Sequence, residues 1–295
     1  MFKHILVGVD GHDGGRDAIA LADRLRESDS GMTLGYAFMA YRDIYANAYE
    51  HLQRENALLL LGQARTNAGV EASLECISSR SAGRGLHKLA EREGADLLVV
   101  GSSRRGLLGR VLIGDETRAA LEGAPCAIAI APSGHLGGSA SIRDIGVGYD
   151  GSDESRHAVE FAEALAGELG ARLSAFNAVT LPTTSFGPGP LPVSDAIDPL
   201  IEQALDEIAS LGIEARAGYG QAAERLTEYS AGLDLLIIGS RGEGPIGRLA
   251  HGSTAHRLAD TAQCPLLILP RAGARSETPG ARDQLGAGTT APNPR

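Results

Sequence analysis

The chain carries one pattern twice. Ile5-Leu-Val-Gly-Val-Asp10-Gly11 opens the first half, and Ile145-Gly-Val-Gly-Tyr-Asp150-Gly151 opens the second. Asp96-Leu-Leu-Val-Val-Gly101-Ser102 returns as Asp234-Leu-Leu-Ile-Ile-Gly239-Ser240, and Cys126 returns as Cys264, each thiol at the head of a last apolar run. The offset stays near 140 residues, as from Asp10 to Asp150. Solenoid repeats have periods of about 20–50 residues, so this is a duplicated domain. Each half of a 295-residue chain is long enough to bury its own core.

Short apolar runs alternate with helical patterns in both halves. The runs cover residues 5–9, 33–39, 71–77, 97–100 and 127–131, then 145–149, 172–178, 213–217, 235–238 and 266–269. Between them, residues 16–26 place Ala18, Ile19, Ala22 and Leu25 on one stripe, and residues 155–169 do the same with Ala158, Phe161, Ala162, Leu165 and Leu169. Continuous apolar strands alternating with amphipathic helices predict a parallel sheet covered on both faces. Each half reads as a doubly wound, five-stranded α/β domain, Rossmann-like in type. The predicted domains are 1–132 and 143–270, with a Gly/Ser-rich linker at 133–142. Residues 271–295 hold almost no large apolar side chains and read as a disordered tail. Residues 180–192, rich in Pro and Gly, read as a long exposed loop. The last strand of each half is apolar and falls at a sheet edge, which is a liability if left open. Pairing the two edges would make a pseudo-dimer within one chain.

A net charge of -10 argues against nucleic acid or an anionic membrane as partner. No apolar stretch approaches the roughly 20 residues that span a bilayer, and no signal segment precedes the strand pattern at His4, so a cytoplasmic location is expected. Cys76, Cys126 and Cys264 form no C-x-x-C and read as buried, reduced thiols. The eight histidines form no ligand cluster, His251 and His256 reading as solvated or loop residues, and no metal site is expected.

The chemistry concentrates after the fourth strand. In the second half Gly239-Ser240-Arg241-Gly242 is followed by nine residues, then Gly252-Ser253-Thr254 and a helix pattern. Glycines after a parallel strand let backbone N–H groups approach an anion. A hydroxyl at a helix N-terminus adds a donor and the positive end of the dipole. Arg104, Arg105, Arg110, Arg241 and Arg248 lie in the two loops and could neutralise phosphates. A Walker A loop is excluded, because the only lysines are Lys3 and Lys88. The Ser-Gly-Gly-x-Asp-Ser loop of ATP pyrophosphatases is absent too. Gly146-x-Gly148-x-x-Gly151 matches a dinucleotide fingerprint but starts inside a strand, so it reads as chance. Gly242-x-Gly244-x-x-Gly247 is equally weak, because too little chain follows it for a dinucleotide unit. Asp10 and Asp150 end the first strand of each half, where a carboxylate could bind ribose hydroxyls, an adenine amine, or simply cap the next helix.

With these residues in place, the sequence resembles the universal stress protein family in its tandem form. The family's ATP-binding branch carries Gly-x-x-Gly, nine residues, then Gly-Ser/Thr, and Gly239, Gly242, Gly252 and Ser253 match it fully. The resemblance implies an ATP site in the second domain, formed by Asp150, Val179, Gly239, Ser240, Arg241, Gly242, Gly252, Ser253 and Thr254, with or without Mg2+. It implies that Asp10 and Asp150 contact the adenosine moiety. The end of the second strand, near Ala40 and Val179, would offer backbone groups to adenine. In the first domain the corresponding set is Asp10, Ala40, Gly101, Ser102 and Gly114. There the pattern departs, with Arg104 in place of the second glycine and Asp115 in place of Ser/Thr.

The resulting expectation is an ATP-binding regulatory or stress-response protein with at most slow hydrolysis. Its partners would be an adenine nucleotide, the other half of the same chain, and an unnamed protein, with a homodimer left open. Two alternatives stay open: a nucleotidyl-transfer or dinucleotide-using enzyme of the same fold, and a nucleotide-free interaction module in which the glycines serve only as turns.

Overall fold

In the first half, β1 (Phe2–Gly8), β2 (Arg26–Met39), β3 (Ser73–Ser79), β4 (Leu97–Gly101) and β5 (Ala127–Ala131) alternate with α1 (Asp13–Leu25), α2 (Ala46–Ala68) and α3 (Ala82–Glu93). The second half repeats this with β6 (Asp144–Gly148), β7 (Arg172–Val179), β8 (Glu214–Tyr219), β9 (Leu235–Gly239) and β10 (Leu266–Leu269). Its helices are α4 (Asp153–Leu169), α5 (Val193–Ala209), α6 (Ala222–Ser230) and α7 (Ser253–Thr261). The computed structural model describes residues 2–40, 46–102, 120, 123–134, 141–180, 193–240 and 253–270. The expected tail, most of the expected exposed loop at 180–192 and most of both glycine loops lie outside these residues.

All ten strands form one sheet in the order β3-β2-β1-β4-β5-β10-β9-β6-β7-β8. Pairing is parallel within each half. Among the described residues the one antiparallel junction is β5 with β10, where Leu266 faces Ile130, Leu267 faces Ala129 and Ile268 faces Ile128. The two apolar edge strands thus cover each other, and the halves meet as the expected pseudo-dimer.

Strand alternation sets the two core faces. Ile5, Val7, Leu97, Val99, Ile145, Val147, Leu235 and Ile237 point to the face covered by α1, α2, α4 and α5. Leu6, Leu98, Val100, Leu236 and Ile238 point to the opposite face, with α3, α6 and α7. Both clusters run across the junction, and the Phe2 and Phe161 rings meet at 5.2 Å between centroids. Phe2 belongs to β1 and Phe161 to α4, so the halves also share side-chain packing.

One strand is longer than its sequence suggests. β2 begins at Arg26, directly after α1, and pairs first with Phe2 before slipping to pair Gly31 with His4. The slip is a bulge, closed in part by the Ser30 hydroxyl donating to the Glu27 carbonyl at 2.7 Å. Polar residues 27–30 hide it from a reading based on apolar runs.

Candidate functional site

Each half has the strand order 3-2-1-4-5, so the chain leaves β1 and β4 in opposite directions. The crevice outside their carboxyl ends is the place where open α/β sheets take ligands. It is lined by Asp10 and Gly101 in the first half, and by Asp150 and Gly239 in the second. Because β5 and β10 are antiparallel, the two crevices open at opposite ends of the sheet.

The first wall is a turn from strand to helix. Gly11 and Gly151 take φ of 81° and 78°, a left-handed conformation that glycine adopts without steric cost. This turn aims the preceding carboxylate at the start of the helix. Asp10 Oδ1 accepts from the His12 amide at 3.0 Å. Asp150 Oδ1 accepts from the Ser152 amide at 3.1 Å and from its hydroxyl at 2.5 Å. Ser152 then caps α4, its hydroxyl accepting from the Ser155 amide at 3.3 Å. His12 gives α1 no such side-chain cap. Both aspartates are exposed at the crevice. Each holds the turn through Oδ1 while the residue stays exposed.

The second wall is the end of the fourth strand, and it differs from a simple phosphate cradle. A Cβ on Gly101 would lie 2.1 Å from the carbonyl oxygen of Gly14, and one on Gly239 would lie 2.4 Å from that of Glu154. The first turn of α1 or α4 rests directly on each glycine. The next amides are also committed: Ser102 N–H donates to Ala131 O at 2.8 Å, and Ser240 N–H to Leu269 O at 2.9 Å. Ser102 is 2% exposed and Ser240 4%. The Ser102 hydroxyl accepts from the Ser133 amide at 2.9 Å. These two amides are therefore already engaged and are not offered to an anion.

The third element is the helix after the loop. In the second half α7 starts at Ser253, with Thr254 half-buried in its first turn. That first turn holds no acidic residue, whereas α4 carries Asp153 and Glu154 in its own. Of the two helix starts at this crevice, α4 already has its dipole complemented and α7 does not. Arg241, Gly242 and Gly252, and in the first half Arg104, Gly114 and Asp115, lie outside the described residues.

The strand registers place Ala40 and Val179 differently at the ends of their strands. Gly8 sits beside Gly35, and Gly148 beside Phe176. Val179 is thus the counterpart of Phe38, and Ala40 lies two residues further along. Phe38 and Val179 are both buried, while Ala40 is exposed. The Ala40 amide donates to Ser79 O at 3.0 Å, and the Val179 carbonyl accepts from Gly220 N–H at 3.0 Å. The offset arises because the first copy of the helix and turn before the strand differs in length from the second, which residue patterns alone do not reveal.

Other expectations resolve into packing. The three cysteines are buried and unpaired. Burial raises the Cys126 and Cys264 thiols to about 12. His256, expected in solvent or a loop, sits half-buried on α7. The Gly146-x-Gly148-x-x-Gly151 pattern is answered by packing and a turn, with a separate structural reason for each glycine. Gly146 makes room for Tyr229 and Leu233, Gly148 packs against Ile238 and Leu226, and Gly151 takes the left-handed turn. Sequence reading missed Asp17, a carboxylate only 6% exposed whose Oδ2 accepts from Gly134 N–H at 2.7 Å. Its place among the apolar residues of α1 was the available signal. No helix among the described residues is long and apolar enough to cross a membrane.

These features define a tandem, doubly wound α/β protein with one crevice per half. The family model described as "Universal stress protein family" matches residues 1–132 and 141–270, and the chain belongs to that family. A universal stress protein of Thermus aquaticus is 30% identical over 146 residues, covering 43% of this chain and 98% of its own length. Universal stress protein YxiE of Bacillus subtilis (strain 168) is 30% identical over 141 residues, covering 42% and 95%. Among solved structures, a universal stress protein from Archaeoglobus fulgidus superposes with a TM-score of 0.64 at 15% identity, covering 90% of this chain and 98% of its own. A putative universal stress protein from Pseudomonas aeruginosa gives 0.62 at 18%, covering 91% and 94%. These two likenesses show the shared two-half fold.

Proposed function

We propose that this chain is an adenine-nucleotide-binding regulatory protein, with ATP bound in the crevice of the second half. The observation that carries this reading is the start of α7. Ser253 opens that helix at the carboxyl edge of β9, its first turn is free of acidic side chains, and the exposed carboxylate of Asp150 stands at the end of neighbouring β6. A helix start without a carboxylate favours phosphate, and a carboxylate beside it suits ribose hydroxyls. The spacing Gly239, Gly242, Gly252, Ser253 supports the same assignment.

The nucleotide acts here as a bound signal, with hydrolysis slow at most. Phosphoryl transfer at speed needs a positioned base and a lysine or metal clamp beside any arginine, and the only lysines, Lys3 and Lys88, lie outside the loops that carry Arg241 and Arg248. Native mass spectrometry of the purified protein, followed by titration calorimetry with ATP, tests the reading. The expected result is one ATP per chain, lost in Gly252→Val. A co-purifying dinucleotide would instead favour an enzyme, and absence of any nucleotide binding would favour an interaction module.

A further inference from the structure

In both halves the glycine that opens the loop is filled by protein. The Cβ position of Gly239 is 2.4 Å from Glu154 O, 2.7 Å from Glu154 C and 2.9 Å from Glu154 Cβ. That of Gly101 is 2.1 Å from Gly14 O and 2.4 Å from Gly14 C. Real Cβ atoms do not approach backbone this closely, so any side chain here would lift the helix off the strand. The flanking amides of Ser102 and Ser240 are spent on Ala131 and Leu269. Both copies thus give the glycine a helix to seat, and the amide that follows it is already engaged.

What the helix carries makes this seat functional. The first turn of α4 is one unit with the Asp150 turn: Asp150 Oδ1 holds the amide and hydroxyl of Ser152, Ser152 Oγ holds the Ser155 amide, and Ser152 O accepts from Arg156 N–H at 3.0 Å. Moving Glu154 moves Ser152, and moving Ser152 moves the carboxylate of Asp150. The phosphate end of the crevice hangs instead on α7, which is reached through the far end of the loop.

We propose that Gly239 is a positioning residue that fixes the nucleoside end of the site, by letting the first turn of α4 seat on β9 and so placing Asp150, and that Gly101 does the same for α1 and Asp10. This rests on the reading of the second crevice as an adenine-nucleotide site. It departs from assigning the first glycine of the loop to phosphate. It predicts that phosphate-free ligands feel the substitution as strongly as ATP does.

The test uses the full chain with Gly239→Ala, and with Ser152→Ala, which loosens the same turn without adding bulk. Backbone hydrogen exchange is measured without ligand, and calorimetry with ATP and with adenosine. Gly239→Ala should speed exchange of the Ser155 and Arg156 amides while leaving α7 unchanged, and should weaken ATP and adenosine by the same factor, about tenfold. Ser152→Ala should repeat the equal loss at roughly fivefold. Unchanged exchange in α4, or a loss confined to ATP with adenosine unaffected, would overturn the proposal. If Gly239→Ala does not fold, Ser152→Ala decides it, since unchanged adenosine and ATP affinity there would overturn the link from α4 to Asp150. If the unmodified protein binds neither ligand, the nucleotide reading fails, while the exchange comparison still decides whether the glycine seats α4.

Discussion

Tyr229 sits so close to Gly146 that a Cβ on the glycine would lie 2.7 Å from its Cε1, and 2.2 Å from Leu233 Cδ1. The first half has Leu6 at the matching strand position, buried with Leu89 in the same face of the core. The two copies thus fill equivalent space differently, with a large strand residue in one and a large helix residue in the other. Tyr229 also satisfies its hydroxyl, which lies 2.5 Å from Ser174 Oγ in the interior. Gly146→Leu should therefore overpack the second half and cost about 1–3 kcal/mol. In a protein of this size that lowers Tm by roughly 2–4 °C per kcal/mol. Adding Tyr229→Leu should recover most of the loss but not all, because Ser174 is then left without its partner, at a cost of about 1 kcal/mol or more. Thermal unfolding of the two single variants and the double variant checks this. Additive losses would show that the two positions do not share one space.

Asp96 and Asp234 precede β4 and β9 and tie down the strands beside them. Asp96 uses both oxygens, Oδ2 accepting from Lys3 N–H at 2.8 Å and Oδ1 from His4 N–H at 3.1 Å. Asp234 uses Oδ2 alone, for Arg143 N–H at 2.8 Å and Asp144 N–H at 3.0 Å. An amide has one acceptor oxygen, so the two sites should answer differently to Asn. Asp234→Asn can keep both bonds and should cost under about 1 kcal/mol. Asp96→Asn must turn an NH2 toward an N–H and should cost about 1–3 kcal/mol. Urea unfolding of both variants distinguishes the outcomes, and equal costs would mean that charge, not acceptor count, sets the effect.

The duplication made the fold legible. Strands 127–131 and 266–269 coincide with β5 and β10, and their apolar, edge-lying character was enough to expect that these two edges pair, though not in which direction. The site was less legible because sequence does not tell a glycine that faces a ligand from one that faces a helix. Gly101 and Gly239 looked like the former, and Gly14 and Glu154 are packed directly on them. Asp10 and Asp150 were placed correctly at the strand ends, yet their grip on His12 and Ser152 depends on the φ of Gly11 and Gly151. The register of Val179 against Phe38 depends on lengths of turn and helix that no residue pattern encodes.

Three buried groups predict alkaline instability. Burial raises Cys126 and Cys264 to about 12, with Asp96 and Asp234 respectively adding to the rise. Burial likewise raises Tyr229 to about 12, against the lowering effect of its bond to Ser174. In the unfolded chain these groups ionise near 9 for thiols and 10 for the phenol. Above pH 9 the unfolded state binds fewer protons than the folded one, so stability falls as pH rises. The contribution is complete below about pH 9 and is lost through about 12. Urea midpoints at about pH 8 and 10.5 should therefore drop less in Cys126→Ala/Cys264→Ala than in the unmodified protein. A drop of the same size would show that the folded thiols ionise in the ordinary range.

The two loops differ in glycine content and in charge. The second half has Gly242 and a neutral Ser253 where the first has Arg104 and Asp115. A Cβ at a glycine turn position disfavours any backbone with positive φ. A carboxylate about 4 Å from a phosphate costs about 4 kcal/mol at an effective dielectric near 20, which is at least a hundredfold in affinity. Arg104 and Arg105 offset part of this, so the first half should bind ATP weakly beside the second. Gly252→Val should remove nearly all ATP binding, and Gly114→Val should change it little. In the reciprocal direction, Arg104→Gly with Asp115→Ser should add a second site and raise the stoichiometry toward two per chain. Calorimetry on the three variants measures all of this. Two equivalent sites in the unmodified protein, or equal losses on the two valine substitutions, would show that Asp115 does not govern the difference between the halves.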